Sequence, residues 1–212
     1  QMCIRDRMTA AAAALALIPA RGGSKGIPGK NLQEVEGVPL VGRSVQAALA
    51  STRVSRVVVS TDDDAIAAAA RSHGAEVVRR PEHLAGDTAS SESALLHALE
   101  QLSTAGPLPP RLVFLQCTSP FTSGEQIDQV LAALDAPAVN SSFAVAPWHG
   151  FLWRGDGRGI NHDPQQPRQR RQDLEPAYLE TGAIYAMDMA AFRAVGSRFC
   201  PPWQPVVLEH PG

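Results

Sequence analysis

Apolar positions along this chain follow two periods that take turns. Residues 15–19 form a short apolar run ending in a turn cluster, the pattern of a buried strand entering a loop. Residues 39–50 (PLVGRSVQAALA) have helical spacing, with Pro39 at the predicted first turn. A β-branched strand is predicted at 57–60 (VVVS). Thr61 could cap the alanine-rich helix that follows to about His73, and Asp62, Asp63 and Asp64 would complement its positive end. A strand at 76–78, a polar turn at 86–90, a helix at 91–102 and a strand at 112–116 (LVFLQ) continue the alternation. A helix at 126–134 and a strand at 142–145 follow. The pattern then breaks, because 148–175 is rich in Pro, Gly, Gln and Arg without a clear period. Regular spacing returns as a strand at 182–187 (GAIYAM), a short helix at 188–195 and a strand at 206–208.

Strands that alternate with helices imply βαβ units. The expected fold is α/β, three-layer and Rossmann-like, a mainly parallel sheet with helices on both faces. Ligands of such sheets sit beyond the carboxyl ends of the strands. The loops after Ile18, Ser60, Val78, Gln116 and Val145 are therefore the places to look for chemistry. Residues 1–7 (QMCIRDR) match nothing that follows, and Met8 reads as a natural start. They are taken as a leader or annotation scar, although Arg5 and Arg7 before an alanine-rich run also imitate a secretory signal. The domain is taken as 8–212, with 148–178 as an irregular substrate or dimerisation segment.

Composition narrows the partners. Of 212 residues, 44% are hydrophobic and 19% charged, which is enough apolar material for a core and excludes global disorder. The formal net charge of −2 gives no reason to expect nucleic acid or a membrane surface as partner. Cys3, Cys117 and Cys200 are far apart and form no CxxC pair. That argues against a disulfide framework or a cysteine zinc site and favours a reducing, cytoplasmic setting. Among 19 basic residues just two are lysines, and both fall in one glycine-rich stretch, as Lys25 and Lys30. A compact ammonium suits a phosphate as a point charge.

That stretch, Pro19 to Leu32, reads PARGGSKGIPGKNL. Gly22, Gly23, Gly26 and Gly29 let backbone N–H groups turn toward a ligand, while Arg21, Lys25 and Lys30 add positive charge and Ser24 a hydroxyl. The combination suits a triphosphate and the pyrophosphate that leaves it. It is not a Walker A loop, since Lys30 is followed by Asn31, and its spacing is not G-x-G-x-x-G.

The whole string resembles the acylneuraminate (CMP-sialic acid) cytidylyltransferase family. Further blocks carry the resemblance in order: Ser60-Thr61-Asp62 after a VVV strand, Arg80-Pro81, Leu84-Ala85-Gly86-Asp87-Thr88-Ala89-Ser90-Ser91, Leu115-Gln116-Cys117-Thr118-Ser119-Pro120, and Thr181-Gly182-Ala183-Ile184-Tyr185. The resemblance implies a nucleotide-diphospho-sugar transferase type of sheet, usually dimeric through an arm inserted late in the chain. It implies transfer of CMP from CTP to the anomeric hydroxyl of a nine-carbon sialic-acid-type sugar acid, with Mg²⁺, releasing pyrophosphate. Related acceptors (legionaminic, pseudaminic, 3-deoxy-octulosonic acids) and a non-catalytic nucleotide-binding role are the alternatives.

By the family's pattern, Arg21, Gly22, Gly23, Ser24, Lys30 and Asn31 would bind the phosphates, with Arg21 and Lys30 catalytic. Arg80, Asp87 and Ser91 match the cytidine-reading block, although Asp87-Thr88 could simply cap the next helix. Gln116 matches a glutamine at the nucleotide–sugar junction. Cys117 stands where many relatives have Pro and reads as a packed thiol, not a nucleophile. Arg171 and Gln172 match the sugar-acid segment, where a guanidinium would hold the carboxylate; the alternative is a solvated basic loop. Tyr185 and Phe199 match the lining of an N-acyl pocket, or are plain core. The family's Mg²⁺ carboxylates follow the strand corresponding to 206–208. The chain stops first, at Gly212, so truncation is expected and no metal ligand is assigned.

Overall fold

A computed structural model describes residues 13–23, 26–86 and 88–209. In chain order its main elements begin with β1 (Ala14–Pro19), the hairpin of β2 (Glu34–Val35) and β3 (Val38–Pro39), α1 (Leu40–Ala50), β4 (Val54–Thr61) and α2 (Asp64–Ser72). They continue with β5 (Glu76–Arg79), α3 (Ser91–Ser103), β6 (Arg111–Leu115), α4 (Gly124–Ala132), β7 (Ser141–Trp148), β8 (Ala177–Asp188), α5 (Met189–Val195) and β9 (Trp203–Val207). Seven strands make one sheet in the order β5-β4-β1-β6-β8-β7-β9. All run the same way except β8, which is antiparallel to both of its neighbours. The expected α/β, mainly parallel sheet is therefore what forms.

The sequence of β1 shows why helices cover both faces. Alternate residues of a strand point to opposite sides. Ala14, Ala16 and Ile18 enter one core with Val41 and Val45 of α1, Ile66 of α2 and Ile127 of α4. Leu15 and Leu17 enter the other with Leu95 and Leu99 of α3 and Phe192 of α5. A strand buried on both faces must be apolar throughout, which is why this one gives no alternating signal.

The strand order reverses at β1, with β4 on one side and β6 on the other. A crevice opens at such a switch point, beyond the carboxyl ends of the two diverging strands. The loops after Pro19 and Leu115 border it.

Two capping expectations are corrected. The N-cap of α2 is Asp63, whose carboxylate accepts from the Ile66 N–H at 2.8 Å, not Thr61, which belongs to β4. The β-branched Thr61 continues the ladder for one residue more, and Asp is as good a cap. Likewise α3 is capped by Ser90, which accepts from the Ser93 N–H at 3.0 Å, so Thr88 is not its cap; Asp87 lies outside the described residues. The β2–β3 hairpin was not anticipated. Its turn uses Glu36 and Gly37, both at positive φ.

The last sheet strands are longer than their apolar pattern suggested. Val145 through Trp148 pair with Glu180 back to Ala177 as a two-stranded ribbon, where β8 is exposed and its hydrophobic spacing fades. The ribbon leads into and out of the irregular segment near 149–176, whose isolated bridge joins Trp153 and Gly159.

Candidate active site

At the switch point lies a cavity of about 270 Å³. Arg21, Lys30, Asn31, Arg80, Ser91 and Gln116 all line it, joined by the Phe114 ring. Three connections, after β1, between β5 and α3, and after β6, thus bring three cations, two amides and a hydroxyl to one place.

Each part has a local cause. The loop after β1 stays tied to β4, because the Ala20 N–H donates to the Ser60 carbonyl (2.9 Å) and the Gly22 N–H to Asp62 Oδ1 (3.0 Å). A Cβ on Gly22 would stand 2.9 Å from the Asp63 carboxylate, so glycine is needed for that close approach. Gly29, at φ 61, turns the chain into the 3-10 turn Lys30–Leu32, which brings Lys30 back to the cavity. Buried Asn31 donates from Nδ2 to the Arg21 carbonyl at 2.9 Å and closes the loop on itself. Arg21 donates from Nη1 to the Gly86 carbonyl at 3.0 Å, linking this loop to the segment before α3.

Arg80 is nearly buried. Its guanidinium donates to the Ser60 carbonyl (2.6 Å) and hydroxyl (3.3 Å). Burial lowers its pKa, Asp62 opposes that, and the charge of Arg21 adds to the lowering. Arginine stays protonated all the same. Two like charges on one cavity wall favour an anionic ligand there.

The three acidic residues after β4 have separate tasks. Asp62 braces the glycine loop, Asp63 caps α2, and Asp64 pairs with Arg79 at 2.9 Å. The brace was not foreseen, and its signal was simply an acid at a strand end. Among the described residues no cluster of three His, Cys, Asp or Glu could hold a metal. Asp62 and Asp63 are engaged on backbone N–H groups, and no Mg²⁺ ligand set is assigned from the described residues.

Cys117 is buried, and burial pushes its thiol up to about 11 against opposing effects of the Ser44 hydrogen bond and the Lys30 charge. A thiol held protonated is a poor nucleophile, as expected of a packed residue. Gly23 is exposed on the loop; Ser24 lies outside the described residues. Arg171 and Gln172 begin the 3-10 turn Arg171–Asp173 in the irregular segment, and Gln172 is exposed. Gln172 does not line the cavity.

Tyr185 and Phe199 also stand outside it but join its wall. Tyr185, almost fully buried, stacks on Phe114 with centroids 5.4 Å apart, and Phe199 meets Tyr185 edge-on at 6.0 Å. Gln116 points toward the bend at Gly182, whose φ is 75°.

A family profile described as cytidylyltransferase matches residues 15–151. The chain is 36% identical over 177 residues to an N-acylneuraminate cytidylyltransferase of Oncorhynchus mykiss, covering 80% of this chain and 40% of that protein. It is 31% identical over 177 residues to a pseudaminic acid cytidylyltransferase of Campylobacter jejuni, covering 81% of this chain and 76% of that protein. It thus spans about 40% of the length of the vertebrate relatives. In structure it is similar to a CMP:2-keto-3-deoxy-manno-octonic acid synthetase solved with CTP, at a TM-score of 0.71 and 18% identity, over 94% of this chain and 91% of the other. That likeness speaks for the fold. The profile covers well over half of the residues, and on that ground, together with the sheet and its switch-point crevice, the chain belongs to the cytidylyltransferase family.

Proposed function

We propose that the protein transfers CMP from CTP to the anomeric hydroxyl of a sialic-acid-type sugar acid. The observation that carries this is the convergence of Arg21, Lys30 and Arg80 on one switch-point cavity with Ser91 and Gln116 on its walls. The sugar oxygen attacks the α-phosphorus, the bond from that phosphorus to the bridging oxygen breaks, and pyrophosphate leaves. Such a transfer calls for positioning and charge stabilisation more than a covalent helper. Lys30 and Arg21, with Ser24 and the N–H groups of Gly22 and Gly23, would hold the phosphates and offset charge that grows on the leaving pyrophosphate. Arg80, Asp87 and Ser91 would read the cytosine, and Gln116 would stand where nucleotide and sugar meet. Arg171 and Gln172 would hold the acceptor's carboxylate once the segment folds over the cavity, with Tyr185 and Phe199 along its acyl group.

The reading extends to assembly and location. The exposed Trp153, Ile160, Tyr178 and Leu179 on the ribbon and irregular segment support pairing of two copies there, as a homodimer. Among the described residues no helix is long and apolar enough to cross a membrane, and Cys117 and Cys200 are free thiols, in keeping with a reducing cytoplasm.

The test is a thermal-shift titration with CTP, UTP, ATP and GTP, each with and without Mg²⁺, followed by pyrophosphate release with an acceptor panel. A ligand that binds the folded state raises the midpoint by mass action. A shift selective for CTP, followed by release with N-acetylneuraminate, is expected. Release with pseudaminic acid alone would move the acceptor to that of the bacterial relative. A cooperative melt that no nucleotide moves would overturn the proposal.

A further inference from the structure

Next to the cavity lies a polar network that the motifs touch only at Tyr185. Arg198, in the loop after α5, donates from Nε to Glu92 Oε1 at 2.6 Å, although the two are 106 positions apart in sequence. Both side chains are mostly buried, at 17% and 19% exposure. The Arg198 guanidinium carbon lies 4.8 Å from the centre of the Phe114 ring and 4.7 Å from that of Tyr185. The hydroxyl of the same Tyr185 donates to Glu180. Glu92, Arg198, Tyr185 and Glu180 thus follow one another through an ion pair, a ring contact and a hydrogen bond, from the first turn of α3 to the root of the ribbon.

Its ends have different attachments. Glu92 follows Ser91, a residue of the cavity wall, and Arg198 precedes Phe199. The nucleotide side of the cavity is fastened without Arg198, through the Ser90 cap, the Arg80–Ser60 bonds and the Asp62–Gly22 bond. The aromatic side has Arg198 as the flat cation lying over both the Phe114 and Tyr185 rings.

We infer that Arg198 is a positioning residue for the acceptor: it fixes the Phe114 and Tyr185 rings and the Phe199 loop, and so sets affinity for the sugar acid and not for the nucleotide. This rests on the reading above, in which Tyr185 and Phe199 lie along the acceptor. A planar guanidinium can stack on two rings while paired to a carboxylate, which an ammonium cannot do. Misplacement of a positioning wall by as little as an ångström can cost up to about a hundredfold.

The experiment compares the full chain with Arg198→Met and Arg198→Lys. Calorimetry measures binding of CMP and of CMP–N-acetylneuraminate, and pyrophosphate release gives KM for CTP and for N-acetylneuraminate. In Arg198→Met the affinity for the sugar nucleotide and the acceptor KM should each worsen roughly tenfold or more, while CMP binding and KM for CTP stay near wild type. Arg198→Lys, which keeps the pair with Glu92 and loses the flat face, should not restore them. Unchanged acceptor KM in both variants overturns the inference. So does a parallel loss of CTP and acceptor affinity, which marks a general loosening, and so does full rescue by lysine. A wild-type chain that binds CMP–N-acetylneuraminate no better than CMP defeats the acceptor reading itself, and this inference with it.

Discussion

The two ends of the central sheet use charge in opposite ways. At the amino ends of the parallel strands, acids and bases are matched within the protein. Asp135 receives Arg53 at 2.9 Å and Arg111 at 2.7 Å. Asp128 accepts from the Thr52 and Arg53 N–H groups and from the Ser51 and Thr52 hydroxyls, pinning the turn between α1 and β4 to α4. At the carboxyl ends, Arg80 is fastened through the neutral oxygens of Ser60, and Arg21 and Lys30 stand beside it on the same cavity. Internally matched charge serves the fold. Cations that converge on one cavity suit a ligand that carries an anion.

The widest separation between the ends should come from Lys30→Ala. If the cavity binds a triphosphate, removing this ammonium should lower turnover about a hundredfold to a thousandfold. The melting midpoint should move by no more than about 3 °C, since a kilocalorie per mole shifts a domain of this size by roughly 2–4 °C. Pyrophosphate release set beside a melt reads both quantities. Near-normal turnover would remove Lys30 from the site, and Arg21→Ala can be judged by the same pair of measurements. Asp128→Ala should do the reverse. It strips four donors of a charged acceptor and should cost about 2–3 kcal/mol of stability, read as a loss of denaturation midpoint, with the CTP-induced thermal shift retained. A variant as stable as wild type but deaf to CTP would break the comparison.

Asp62 belongs to the functional end yet is an acid, and so sharpens the distinction. Asp62→Ala removes the brace on Gly22 and should weaken CTP binding by roughly tenfold, about 1.4 kcal/mol, the lower range for one bond to a charged acceptor. Asp62→Asn keeps an acceptor oxygen and should recover most of that loss. If Asn and Ala are equally poor, the negative charge beside Arg80 matters more than the hydrogen bond to the loop.

How much of this was legible in the sequence depends on whether the cause is local. The run LVFLQ and the VVV strand announce themselves because β-branched and apolar residues have few other uses at that spacing. The glycine-rich loop is legible since its composition has a mechanism. Ser90 and Asp63 show the limit: every candidate cap in those turns is chemically competent, and the choice depends on where a strand ends, which is set by its neighbours. The outer half of β8 lies on an exposed ribbon, so no alternating burial pattern marks it. The Arg198–Glu92 pair spans the chain, and no local pattern could join them. Of the site, the loop residues and Arg80 could be named from sequence, while the Phe114 wall and the Asp62 brace needed the fold.

The smallest effect expected is at Asp135, and its sign is definite. Hydrogen bonds from Arg53, then Arg111, hold its carboxyl below the usual carboxylate range. A group whose pKa falls on folding contributes stability above its unfolded value, near 4 for an aspartate, and loses it as pH drops through the folded value. Asp135→Asn should therefore be less stable than wild type at pH 7 by no more than about 1 kcal/mol, because the side chain is 47% exposed and pairs of that kind are screened. The gap should stay level from neutral pH down to about 4, then close in stronger acid, where the wild-type carboxyl is protonated as well. High salt at pH 7 should narrow it for the same electrostatic reason. CTP binding by the two proteins should match throughout, since none of the described residues at this end of the sheet lines the cavity. A stability gap that widens in acid, or a nucleotide affinity that follows Asp135, would mean the two ends are coupled and that charge at the base of the strands is felt at their tips.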